Sequence, residues 1–364
     1  MILPVVALGL FLLGQVGRLS FNQQEINIYL YEIPYFTWII FLLWDQRNKL
    51  KIAKAVTIFL SVLVLTFICG ILNVSAFENI VSSMYLLRLF LYLLGFSLTV
   101  DYFVMKKFSP FSLRIFLTLT GVVGVVQYFL YSNLRNLQHL GWDPHLSRVF
   151  GQFLDTSVAG AIYGLILIFI LYNQKLFPKV SKWSYVICYM FLGLLTYSRG
   201  FFVSIFVSAL SYSLIARKNF KAVLIAVALI VVFVALSPKP FVYPSKLAER
   251  SGGEGVNLLR TSTIQSRIAD YGQGLKLWQK SPLVGIGYNR IRYFKPVIGS
   301  ELKGRSHAGA SFHSSYLIIL VTAGAVGLAA FAYWLWNVAK ISNFSMISAV
   351  FFGIYSLFDN ILLH

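Results

Sequence analysis

Apolar and polar positions fall along this chain in long blocks. Apolar runs of about 16 to 25 residues, the length that crosses a bilayer as a helix, recur from end to end. Short polar or turn-forming stretches separate them: "DQRNKLK", "KKFSP", "NQKLFPKVSK", "TYSRG" and "ARKNFK". The pattern predicts roughly eleven helical spans, over 1–17, 27–44, 51–72, 80–104, 111–131, 157–173, 182–197, 200–215, 220–237, 314–339 and 343–363. The first lacks a basic start and an A-x-A cleavage site, so it reads as a span and not as a removable signal. An odd count that stops at "DNILLH" leaves room for a twelfth. Alternating strands of about ten residues, the mark of a membrane barrel, are absent. The predicted class is an all-α polytopic membrane protein of about 11–12 helices. It divides into a bundle over 1–237, one large loop over 238–312 and C-terminal helices over 313–364.

Composition agrees. Hydrophobic residues make up 58% of the chain, charged residues only 12%, and the mean hydropathy is +0.75. A soluble domain of this length needs about twice that charge to cover its surface. Cys69 and Cys188 both lie inside apolar runs, so neither a disulfide framework nor a metal site is implied.

Charge adds orientation. Lys and Arg collect in alternate short loops: Arg47 to Lys54, Lys106 to Arg114, Lys175 to Lys182 and Arg217 to Lys221. These loops are expected to face the cytoplasm. The opposite side then carries 73–79, 132–156, the "SRG" turn and the 237–312 insertion, which holds twelve Lys or Arg against Glu249, Glu254, Asp270 and Glu301. Such an excess concentrates anions, whether lipid headgroups or a diphosphate-bearing lipid. Arg suits the second role because it grips phosphate bidentately.

Within the insertion, "STIQSRIADYGQGLKLWQKSP" reads as a helix lying on the membrane surface. Ser262 and Gln265 form a capping-box pattern, and Ser281 with Pro282 ends the run. Ile264, Ile268, Tyr271, Leu275 and Trp278 form one apolar stripe, with Arg267 about 60° from it. Arg267 there can hold a guanidinium at phosphate depth, or simply reach up to headgroups. Arg199 stands in a hairpin of a few residues on the outer side, where positive charge is disfavoured, and so is a candidate anion contact. Arg148, before another outer helix end, can join it. Arg88 lies inside the fourth span, where an Arg marks either function or a structural ion pair. His313 sits where the basic loop meets the tenth span. A neutral imidazole there can take a proton from an attacking hydroxyl, or can merely hydrogen-bond a helix end. His307 is a weaker rival. No D-x-D pattern, His/Cys cluster or outer carboxylate pair suggests a metal, so departing charge falls to Arg. "GIGYN" and "GAVGL" read as turn and packing glycines, and Gly160 with Gly164 as a G-x-x-x-G helix contact.

Three stretches, "LLTYSRGFF", "SRIADYGQGLKLWQKSPLVGIGYN" and "FHSSYLIILVTAGAVGL", resemble in order and spacing the bacterial O-antigen ligase and polymerase superfamily. "RVFGQFLDTSVAG" resembles a further motif of that family, with Thr156 and Ser157 in place of the usual Pro-Asn, which puts the local helix start in question. The matching motifs cover about 150 to 364. The resemblance implies a metal-independent membrane glycosyltransferase of the C-type superfamily, without cofactor, in the inner membrane and with a site facing the periplasm. Such enzymes move a glycan from undecaprenyl pyrophosphate to a sugar hydroxyl. The family's essential residues map onto Arg199, Arg267 and His313. Arg148, Arg88 and Arg260 are the further candidate pyrophosphate contacts. Implied partners are the lipid-linked glycan donor, a glycan or lipid A–core acceptor, membrane lipids, and a chain-length regulator and flippase; nucleic acid is not among them. A polymerase of repeat units is expected ahead of a ligase. A lipid-linked oligosaccharide transporter would show repeated halves or charges near mid-membrane; no clear repeat is found and most charges sit at span ends.

Overall fold

A computed structural model of the protein describes residues 2–21, 25–46, 54–104, 109–140, 142, 145–216, 224, 227–232, 262–295 and 311–362. Its helices are α1 (Ile2–Phe11), α2 (Glu32–Gln46), α3 (Lys54–Cys69), α4 (Ala76–Val104), α5 (Pro110–Leu130) and α6 (Thr156–Tyr172). These are followed by α7 (Lys179–Leu195), α8 (Arg199–Ala216), α9 (Ser262–Trp278), the short α10 (Ile291–Phe294), α11 (Ser315–Ala339) and α12 (Asn343–Phe358). Of the predicted ninth span, Leu224 and residues 227–232 are described, and they are helical. Among the described residues, Ala76–Leu98, Pro110–Leu130 and Ser315–Ala339 are long and apolar enough to cross a membrane. Six shorter apolar helices accompany them. The architecture is that of a helical membrane protein.

The first two predicted spans need correction. Helix α1 ends at Phe11, and Gly14 turns the chain at φ +49°, its backbone pressed against the Gln152 carbonyl where no Cβ fits. Residues Arg18–Phe21 (β1) then pair antiparallel with Ile26–Tyr29 (β2), Arg18 opposite Tyr29 and Phe21 opposite Ile26. The run read as helix from residue 27 therefore starts as a strand, because "INIY" alternates with period two, and α2 begins only at Glu32.

Two packed layers result. One joins α5, α6, α7, α8 and α12 around Tyr163, Tyr189, Phe201, Phe351 and Tyr355; the other joins α3, α4 and α11 around Phe59, Leu63, Leu89, Ile319 and Phe331. In lipid, helix association rests on close packing, which small residues permit. Gly160 and Gly164 of α6 show this: a Cβ on either would lie 2.6 Å from the Tyr355 hydroxyl or 2.1 Å from the Phe351 ring.

Helix α11, predicted as one span, is broken at Gly324 (φ 67°, ψ −167°). The 282–287 loop fills the break. Ile286 and Gly287 donate to the freed carbonyls of Val321 and Thr322 at 3.0 and 2.9 Å, while the freed amides of Ala325 and Val326 donate to Pro282 and Leu283 at 2.9 and 3.3 Å. An unpaired backbone group in lipid costs several kcal/mol, so the break is tolerable only with this exchange. Gly285 (φ 67°) and Gly324 also let two backbones meet, since a Cβ on either would fall within 2.5 Å of the other segment. The glycines of "PLVGIGYN" and "TAGAVGL" thus lock the end of α9 onto α11.

Candidate active site

Helix α9 turns two faces outward and inward. Ile268, Tyr271 and Leu275 of its predicted apolar stripe are exposed, as suits a helix lying against lipid. The other face carries Arg267, Asp270, Gly274 and Leu277, spaced i, i+3, i+7 and i+10. Gly274 abuts Leu317 of α11, and Leu277 packs with Ile286, Phe312, Ile318 and Val321. This small core and the helix splice fix α9 against the start of α11. That puts Arg267 and Asp270 beside His313.

Asp270 binds His313 at Nδ1 through Oδ2, and takes Lys295 Nζ at 3.1 Å on Oδ1. Burial alone would raise the Asp270 carboxyl, but the His313 hydrogen bond and the Lys295 charge hold it below its ordinary value. The same hydrogen bond raises the His313 imidazole above its ordinary value, with burial and Arg267 opposing and Asp359 assisting. With Nδ1 engaged, Nε2 is the nitrogen left for chemistry, and among the described residues it has no hydrogen-bond partner. The imidazole is one-third exposed, so a substrate can reach it.

One turn away, Arg267 Nη2 meets both oxygens of Asp359, at 3.1 and 3.2 Å. Asp359 follows α12 and is nearly buried. It also accepts from Ser157 Oγ at 2.8 Å, and its backbone carbonyl accepts from Ser315 Oγ at 3.3 Å. Burial pushes the Asp359 carboxyl up, nearby Asp155 adds to this, and Arg267 and Ser157 oppose it. Asp155 itself caps α6, accepting from the Ser157 and Val158 amides at 2.6 and 3.0 Å. The Thr156–Ser157 departure therefore leaves the helix start intact and supplies a hydroxyl to Asp359.

Arg199 opens α8, and its guanidinium lies close enough to Arg267 for the two cations to repel. Ser198 beside it shares a hydrogen bond of 2.7 Å with Tyr355 of α12, which fixes the turn. His313, Arg267 and Arg199 are thus brought to one end of the bundle by α11, α9 and α8. Two guanidiniums a short distance apart, with the positive end of a helix beneath one of them, favour an anion between them.

The remaining candidates part company. Arg148 lies beside the same turn, near Tyr197, but its side chain is buried. Gln127 of α5 holds its segment, donating to the Arg148 carbonyl at 3.2 Å and accepting from the Phe150 and Gly151 amides at 2.9 Å each. Arg88 is not brought to this cluster. It pairs with Glu32 at 2.5 Å, donates to the Asn27 carbonyl at 2.5 Å, and lies over the rings of Tyr29 and Tyr85. That ion pair answers its charge locally. Arg260 and His307 lie outside the described residues.

Asp270, Asp359 and Lys295 escaped the reading of the sequence. Asp270 had a signal: it stands three residues after Arg267, on the same helix face. Asp359 fell inside the predicted 343–363 span, whose helix in fact ends at Phe358, and Lys295 was one Lys within a basic loop, so neither was singled out. Among the described residues no three His, Cys, Asp or Glu side chains group as a metal site.

Comparison with known families matches residues 184–332 to the family described as O-antigen ligase. Arg199, Arg267, Asp270, Lys295 and His313 all lie within that stretch, as does the helix splice at Gly324. A comparison with curated proteins gives no match. The match at residues 184–332 supports membership of the O-antigen ligase and polymerase superfamily.

Proposed function

We propose that this protein joins a glycan carried on undecaprenyl pyrophosphate to a hydroxyl of another glycan, at the periplasmic face of the inner membrane. The reading rests on one observation above others: His313 is oriented by Asp270 within the same cluster that holds Arg267 and Arg199. The acceptor oxygen attacks the anomeric carbon of the donor sugar while the bond to the pyrophosphate oxygen breaks. His313 Nε2 takes the hydroxyl proton, and Asp270 stabilises the imidazolium that forms. Arg267 and Arg199 stabilise the charge on the departing pyrophosphate, the role a divalent ion fills in other transferases. Asp359 holds one edge of Arg267 and so aims its other nitrogens.

Polymerisation of repeat units is the preferred version, with ligation to lipid A–core as the alternative. Purified protein in detergent, given its host's authenticated lipid-linked repeat unit with and without EDTA, tests this. A ladder that survives EDTA supports a metal-independent polymerase. Transfer that appears only with a lipid A–core acceptor supports a ligase. No product from either acceptor class contradicts the transferase reading.

A further inference from the structure

Lys295 stands at the end of α10, in the loop rather than on any helix of the bundle, and yet two distant segments converge on it. Its Nζ donates to Asp270 Oδ1 of α9 at 3.1 Å and to the Ser311 carbonyl at 3.0 Å, two residues before His313. The ammonium also lies 4.7 Å from the Phe312 ring centre. Its side chain is 12% exposed, comparable to that of Asp270, so little water screens the pair. One carboxylate therefore serves two partners, the Lys295 ammonium on one oxygen and the His313 imidazole on the other.

We propose that Lys295 is a positioning residue that sets when His313 is an active base. A carboxylate facing His313 alone would stabilise the imidazolium and keep the base protonated. A fixed cation on the opposite oxygen withdraws part of that stabilisation, because a positive charge lowers the proton affinity of every base near it. His313 also faces Arg267 on α9 and Asp359 after α12. Arg199 of α8 acts further off, through Arg267. Of these, Lys295 alone shares the carboxylate that holds the imidazole. Its second bond, to Ser311, fixes the strand of chain that delivers His313, so the charge and the geometry are set together. The reading rests on His313 as the base of the proposed transfer, but the state of the imidazole can be measured without turnover.

Of the two states of imidazole, diethylpyrocarbonate reacts with the neutral one, and peptide mapping by mass spectrometry isolates the His313 signal from the other four histidines and from other acylated side chains. In Lys295→Met, His313 modification at pH 6.5 should slow about fivefold against wild type and recover at higher pH, with Lys295→Arg close to wild type. Unchanged pH dependence in Lys295→Met, in protein that keeps its melting temperature, would overturn the proposal. If Lys295→Met unfolds, Lys295→Gln, which keeps a donor to Ser311 but removes the charge, serves the same test. Transferase assays on the same variants then separate the two ideas. A shifted titration without any transferase activity in wild type contradicts the function alone. Activity in wild type with an unshifted titration contradicts the role of Lys295 alone.

Discussion

Two arginine–carboxylate pairs, one in each half of the chain, show how differently the same chemistry can be used. Glu32 is saturated: it accepts from Arg88 at 2.5 Å, from the Tyr29 amide at 2.9 Å and from the Tyr92 hydroxyl at 2.5 Å, and Tyr31 completes the network. Arg88 in turn is enclosed by a carbonyl and two rings. Every charge there is answered, and the pair ties the hairpin and α2 to α4. In the second pair Asp359 holds Arg267 by one nitrogen only. A second cation lies nearby, and an imidazole faces the same space. The first pair is closed, whereas the second has surplus positive charge and a partly exposed guanidinium and imidazole. An Arg in an apolar setting signals function only when its partners leave charge over.

The comparison can be broken at several points. The largest effect belongs to His313→Ala, which should reduce transfer by about a hundredfold to ten-thousandfold with the fold retained, as read by turnover and melting temperature. Glu32→Ala should do the opposite. It leaves Arg88 buried without its partner and destabilises by about 3–5 kcal/mol, a loss visible as early thermal unfolding, while turnover per folded molecule stays within about threefold. Loss of turnover in a well-folded Glu32→Ala protein would show that the closed pair belongs to the site after all.

A smaller and more diagnostic effect concerns pH. In the proposed transfer neutral His313 is the base, so activity should be lost as pH falls through its pKa. That pKa is raised from 6.5 by the Asp270 bond, which puts the acid limb above pH 6.5. Asp270→Asn removes the cause, so the limb should move down while the maximal rate drops about tenfold from the lost orientation of the ring. A limb that moves up or stays in place contradicts the assignment. The smallest effect is expected from Ser157→Ala. This removes one of the bonds to Asp359 and should cost about 1 kcal/mol of stability with a modest rise in KM.

Much of the bundle was legible because crossing a membrane demands long apolar runs, and the boundaries of α5, α6, α7 and α8 follow from them within three residues, whereas α12 stops at Phe358 and not at the predicted 363, where Asp359 turns to Arg267. The early correction comes from short-range patterns that hydropathy averages away: the "INIY" alternation and the turn at Gly14. The break in α11 was hidden for a different reason. Gly324 in an apolar run looks like any packing glycine, and only the distant 282–287 loop, which supplies the exchanged hydrogen bonds, makes a break affordable. Among the candidates, Arg199 was legible as a charge in a short outer turn, Arg267 from its place at the margin of an interfacial stripe, and His313 from its place where a basic loop meets a span. Asp359 and Lys295 were not, because an ordinary residue at a helix end acquires its role from a neighbour 92 or 25 positions away, and Asp270 showed only as an acid on the Arg267 face of α9.

The most direct test sets the open pair against the closed one: turnover per folded molecule for Arg267→Ala and Arg88→Met, with an authenticated lipid-linked donor and its acceptor. Loss of about a hundredfold or more in Arg267→Ala, with Arg88→Met losing stability but keeping its rate, is the expected result. Near-normal turnover in Arg267→Ala, or a rate lost in well-folded Arg88→Met, would place the pyrophosphate at the other pair and contradict the account.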